Sequence, residues 1–270
     1  MKLYDADGTE TIQLLGGNSS TKGAAINLHD SDGTTTITLD ADDANDGGRL
    51  ELKKGDGTTT ARLEANIGSG NGGLLMYDPS GGESIRFTGA FQGTGAGFLQ
   101  FKNLAGTVVM TLNGDSSGEG KITTQVIEIT GGSDLSEQFD VASSHAEPEP
   151  GMIVCIDSLR PGELRVSDRA YDPAVAGIIS GAGGVKPGML MGQRGTVADG
   201  KHPVALSGRV YCYVDADYGP IKPGDLITTS GTPGHGMKGE PAKTSGAIIG
   251  KAMTPLKEGK GLVLVLVSLQ

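Results

Sequence analysis

The residues able to do chemistry gather in the last third of the chain: His202, Ser207, Asp215, Asp217, Asp225, Ser230, His235 and Lys238. A serine beside a histidine or lysine base would make a nucleophile, and a carboxylate would orient that base or take a proton. The local patterns argue against this use. Ser207 stands in Ala205-Leu206-Ser207-Gly208, without the Gly-x-Ser-x-Gly elbow that presents a nucleophile. His202 precedes Pro203 and His235 lies between Gly234 and Gly236, so both read as solvated loop histidines. Asp215 and Asp217 alternate at strand spacing and would share a face, an arrangement suited to acid chemistry. Their plainer reading is a polar strand end before the turn at Tyr218-Gly219-Pro220.

Asp40, Asp42, Asp43, Asn45 and Asp46 offer the hard oxygen donors a calcium ion wants. The stretch lacks the spacing and closing glutamate of an EF-hand loop, and an ordinary acidic turn is the competing reading. Cys155 and Cys212 lie in apolar runs without metal-type neighbours and read as buried free thiols. No residue is assigned a catalytic, cofactor-binding or metal-ligating role. The net charge of −10 argues against nucleic acid, which needs clustered Lys and Arg. The longest apolar run, Leu262 to Val267, is a strand's length, so no membrane insertion is expected. Residues 1 to 20 lack the basic start and apolar core of a secretory signal.

The elements that carry these residues read as strands throughout. Forty-six glycines, no tryptophan and few aromatics suit turn-rich β structure. In the first half a unit recurs on Gly8, Gly33, Gly57, Gly81 and Gly106, at steps of 25, 24, 24 and 25 residues. Apolar residues stand seven and five positions before the glycine, as in Ile26 and Leu28, and four and six after it, as in Ile37 and Leu39. Alternation on both sides of an Asp-Gly turn predicts a β-hairpin per unit. Four apolar side chains are too few to offset the ordering entropy of two dozen residues, so the apolar face is expected to pack on other chains. A threefold fibre is the simplest closed solution; a single-chain β-solenoid is the competing one. The pattern opens mid-unit at Met1 and Leu3, as expected of a joint to another subunit or of a piece of a longer chain.

The period ends after Leu112. Lys121 to Thr130 reads as a strand, and the Pro- and Ser-containing stretch up to Pro150 as a connector. Beyond it, Pro150-Gly151-Met152-Ile153-Val154 is echoed by Pro223-Gly224-Asp225-Leu226-Ile227, and Ala176 to Ile179 by Gly246 to Ile249, which suggests two related β units. The run Gly261 to Leu269 is apolar at nearly every position and is expected to be central or covered on both faces.

The stretch from Val204 to Lys238, then Gly246 to Gln270, resembles a C-terminal module found in many bacterial and phage-related proteins. Its most specific part is Tyr218 to Lys238, with Gly219-Pro220-Ile221, Gly224-Asp225-Leu226, Thr228-Thr229-Ser230 and Pro233-Gly234-His235-Gly236-Met237-Lys238. The module is similar to the C-terminal domain of phage neck-appendage and tail-fibre proteins, part of which belongs to a self-cleaving peptidase and intramolecular-chaperone group. The resemblance covers roughly residues 130 to 270 and implies a trimeric fibre or appendage with a terminal knob. It also leaves open self-cleavage, with a carboxylate among Asp215, Asp217 and Asp225 activating the attack.

The reading is therefore an all-β chain: a β-hairpin repeat shaft over 1–130, a connector over 131–150, and a compact, β-clip or barrel-like knob with internal duplication over 151–270. The expected role is a non-enzymatic, structural and adhesive fibre, extracellular on a virion, injection particle or cell surface. Expected partners are two further copies in a homotrimer, a glycan or protein receptor, and a base or baseplate protein at the N-terminus. Self-processing and end-to-end polymerisation into a surface filament or sheath are the alternatives.

Overall fold

The computed structural model describes residues 1–17, 23–42, 47–67, 71–89, 96–143, 146–243 and 245–268. The chain divides into two compact units, Met1–Ile127 and Glu128–Gln270.

In the first unit the alternating segments form β1 (Lys2–Tyr4), β2 (Glu10–Leu15), β3 (Ala25–His29), β4 (Thr35–Asp40), β5 (Arg49–Lys53), β6 (Thr59–Glu64), β7 (Gly73–Tyr77), β8 (Glu83–Thr88), β9 (Phe98–Lys102), β10 (Val108–Asn113) and β11 (Lys121–Thr124). Each strand pairs only with its sequence neighbours, giving an 11-stranded antiparallel meander. The chain reverses at every connection and never winds as a solenoid would.

The aligned glycines explain the reversal within each hairpin. Gly8, Gly33, Gly57, Gly81 and Gly106 hold φ between 76° and 86°, the left-handed region that glycine enters without steric cost. Each donates its N–H to the carbonyl three residues back, as Gly33 does to Asp30 at 3.0 Å. The Asp30 N–H closes the loop on Thr34 O at 2.9 Å. This is a type I turn closed by a glycine bulge, and the pairing register shifts beside each such turn.

The second unit contains β12 (Asp134–Phe139), β13 (Val141–Ala142), β14 (Ile153–Ile156), β15 (Leu164–Val166), β16 (Val175–Ile179), β17 (Met189–Met191), β18 (His202–Asp215), β19 (Leu226–Thr229), β20 (Gly236–Lys238), β21 (Ile248–Ala252) and β22 (Lys260–Ser268). Strands β18, β20, β19, β21 and β22 close into a five-strand barrel, because β22 returns to β18 from Ser207↔Ser268 to Asp215↔Lys260. The pairing pattern is written twice. β14 is antiparallel to β15 and β16, and β19 is antiparallel to β20 and β21. Both sets begin after a Pro-Gly turn with a left-handed glycine, Gly151 at φ 98° and Gly224 at φ 92°. The shared core is built from Ile153, Ile178, Val210, Ile227, Ile249 and Val265, each 1 % exposed or less.

Two expectations are corrected here, and a third is met in one of its two forms. The strand expected over Lys121 to Thr130 stops at Thr124, which pairs with Met110 beside the register shift that breaks the β10 ladder between Val108 and Met110. Residues 131–150, expected as a connector, contain β12 and β13; β12 pairs with β17 and β18, and β13 with β15. The run at the end of the chain is central by pairing but covered on one face only. Val263, Val265 and Val267 point into the barrel, whereas Leu262 and Leu266 on its outside are 36 % and 45 % exposed. A single barrel has one interior, and alternation sends every second side chain out of it.

Candidate functional site: the apolar face of the repeat sheet

Because every hairpin keeps the same register, the apolar offsets fall into two unbroken rows across the meander. One row passes through Leu14, Ile26, Leu39, Leu50, Leu63, Leu74, Phe87, Leu99, Leu112 and Ile122, each paired directly with the next. The other passes from Leu3 through Ile12, Leu28, Ile37, Leu52, Ala61, Met76, Ile85 and Phe101 to Met110. Two side chains per strand make a stripe about 7 Å between rows. It is uncovered: Leu63 and Phe87 are each 54 % exposed, and Ile122 is 62 % exposed.

The opposite face is polar and carries a chain of ion pairs, although Thr88 Oγ1 and Arg62 Nε are buried there without a hydrogen-bond partner. Glu51, 8 % exposed, meets Lys53 at 3.1 Å and accepts from Thr59 Oγ1 at 2.8 Å. Glu83 is held by Arg86 at 2.6 Å and Lys102 at 2.9 Å. Burial pushes the Glu51 and Glu83 carboxyls up, but hydrogen bonds and neighbouring cations outweigh it and hold both below the usual range. Arg62 Nη1 donates to Tyr77 Oη at 3.1 Å. The burial pattern is thus inverted relative to a folded core: the polar side is the better covered, and the apolar side meets solvent.

The residues singled out for chemistry are partly brought together. The loop after β19 places Ser230, Thr232 and His235 beside Asp215. Ser230 Oγ donates to the His235 carbonyl at 2.8 Å and accepts the Thr232 N–H at 3.1 Å, so the hydroxyl serves the turn. His235 Nδ1 lies 2.7 Å from the Pro233 carbonyl, which requires the proton on that nitrogen, and the ring stands 5.4 Å from Tyr213. Asp215 accepts from Thr232 Oγ1 at 2.6 Å and from the Asp217 N–H at 3.0 Å. Burial pushes its carboxyl up, but those bonds and the Lys260 and His235 charges outweigh it and leave it below the usual range. Asp225 is lowered likewise, against burial, by Lys238 at 2.9 Å and the Lys222 N–H.

Asp217 does not share a strand face with Asp215, since β18 ends at Asp215 and residues 216–218 form a 3-10 turn. His202 is no loop residue: it opens β18 opposite Phe139. Ser207 is exposed on β18 opposite Leu135 and Ser268. Asp40 Oδ1 accepts the Asp42 N–H at 3.2 Å, and Asp43, Asn45 and Asp46 lie outside the described residues. Among the described residues no three His, Cys, Asp or Glu side chains group as a metal site.

Sequence reasoning missed a fully buried carboxylate. Asp172 accepts from Arg165 Nη2 at 2.6 Å, Arg169 Nη2 at 2.8 Å and the Ala174 N–H at 2.9 Å, and its own N–H donates to Thr229 Oγ1 at 2.8 Å. It thereby ties the stretch between β15 and β16 to β19. Burial raises its carboxyl, but these bonds and charges win and lower it. The neighbouring Cys155 thiol is pushed up to about 12 by burial and by the Asp172 charge, and burial pushes Cys212 up as well. Both are buried free thiols and stay protonated at neutral pH. The charged run Arg165 to Asp172 was the available signal, but no spacing rule says that such a run folds inward.

No protein-family model matches the chain, and no curated protein matches its sequence.

Proposed function

We propose that three copies of this chain associate through the apolar faces of their repeat sheets to form the shaft of a fibre, with the second unit as its knob. The observation that carries the reading is the pair of continuous apolar rows on a sheet whose other face is polar and laced with ion pairs. Burying one Leu or Phe side chain contributes about 1.5–3 kcal/mol, so covering rows ten strands long supplies ample driving force for association. A stripe only two side chains wide suits a three-sided core, in which each sheet offers a narrow strip to a common axis. The role that follows is structural and adhesive, as a tail-fibre or appendage component of a phage, a phage-derived injection system or a cell-surface filament. The resemblance of residues 130 to 270 to appendage modules supports the same reading. Native mass spectrometry tests it: a species at three times the 27.5 kDa chain mass is expected, and an intact monomer at micromolar concentration would overturn it.

A further inference from the structure

The second unit carries an open cleft of about 420 Å³ whose lining includes, of the residues singled out for chemistry, Lys238. Tyr171 and Tyr218 line it, together with Met237, Lys238 and Glu240. The volume lies near the lower end of small-molecule sites, which run from roughly 300 to 1,000 Å³. Tyr218 is 52 % exposed and offers ring surface to the cleft. Tyr171 is held in the left-handed region at φ 55°, where a bulky side chain is rarely tolerated, and strain of that kind collects at ligand sites. The backbone that holds it there is the Asp172 network, with the Tyr171 N–H on Thr229 O at 3.2 Å.

The charges at the rim narrow the ligand class. Lys238 is matched by Asp225 at 2.9 Å, and Lys243, 5.8 Å from the Tyr171 ring centroid, is matched by Glu240 at 2.8 Å. With each lysine neutralised, the cleft has no surplus positive charge for a phosphate or a sulfate. What it does have is two aromatic rings, a phenol within 3.4 Å of the Glu240 N–H, and ammonium and carboxylate groups within reach of solvent. Those are the requirements of a sugar ring, whose C–H face stacks on an aromatic plane while equatorial hydroxyls donate and accept around its edge.

We propose that the cleft between Tyr171 and Tyr218 is a saccharide subsite for one or two neutral, all-equatorial pyranose rings. The proposal deepens the adhesive role and rests on that reading for its biological meaning. Saturation-transfer NMR on the full-length protein with cellotetraose and with tetra-N-acetylchitotetraose tests it. Transfer to pyranose ring protons is expected for the wild type with at least one of the two. It should fall at least fivefold in Tyr218→Ala and in Tyr171→Gly; the glycine variant keeps the backbone at φ 55° without strain and so preserves the fold. Tyr4→Ala, in the first unit, should transfer like the wild type. No transfer with either oligosaccharide, or transfer unchanged in both cleft variants, overturns the subsite. Native mass spectrometry of the same samples separates the two ideas: a trimer without transfer sinks the cleft alone, and a monomer with tyrosine-dependent transfer supports the cleft while sinking the fibre.

Discussion

Asp30 shows how one side chain writes a turn. Its Oδ1 accepts the N–H groups of Asp32 at 3.1 Å and Thr34 at 2.9 Å, which holds the type I turn in place before the left-handed Gly33. Asp5, Asp78 and Asn103 do the same in their units. Asp30→Ala should therefore lower shaft stability by about 1 kcal/mol, read as a shift in the urea midpoint, while Asp30→Asn stays near wild type because Asn103 already performs the role. Asp172 supports a different test. Its carboxyl is depressed in the fold below its ordinary 3.8, so its contribution is fully present above that value and is lost as pH falls through the lower, folded value. The second unit should thus melt more easily below about pH 4. Asp172→Asn should cost about 3 kcal/mol at pH 7, by leaving Arg165 without its buried partner, and should flatten the acid limb of the melting curve. An unaltered acid limb in the variant would assign the acid sensitivity elsewhere.

At the scale of an element, the repeat strands are amphipathic in the reverse sense to an ordinary single-chain sheet. Phe87 on β8 is 54 % exposed, whereas its neighbour Thr88 is 3 % exposed. If the apolar rows are the assembly surface, Phe87→Glu should cut the trimer population at least tenfold in native mass spectra and leave the circular dichroism of each chain strand-like. Thr111→Glu, on the same sheet but in the row paired with Gln100 and Thr123, should assemble like the wild type. Equal loss in both variants would show that added charge anywhere disrupts the sheet. In the second unit, the outward Leu262 and Leu266 make β22 a second apolar surface, while its inward valines fill the barrel.

If the whole molecule assembles as the proposed fibre, the central difficulty is register. Sliding one shaft past another by two strands re-pairs nearly identical apolar residues, at little cost, so a repetitive shaft cannot choose its own alignment. In the proposed fibre the second unit, which lacks the 24- to 25-residue period, would supply it. A chain ending at Ile127, the boundary of the first unit, should therefore give staggered or aggregated assemblies by electron microscopy. Uniform, soluble trimers from that fragment would remove the knob from any role in alignment.

The amino-acid sequence alone determined what is local and periodic. The glycine spacing, the flanking alternation and the Asp-Gly turns are short-range rules, and each hairpin obeys them without knowledge of the rest of the chain. The duplicated Pro-Gly starts at Gly151 and Gly224 were legible for the same reason. Only the tertiary structure decided what depends on distant partners. It showed that His202 opens a long strand, that Asp215 caps a turn, that β22 returns to β18, and that Asp172 is buried between two arginines and Thr229. The cleft beside Tyr171 belongs to this second class: its two tyrosines stand 47 positions apart in the chain, and no periodicity joins them until the barrel has folded.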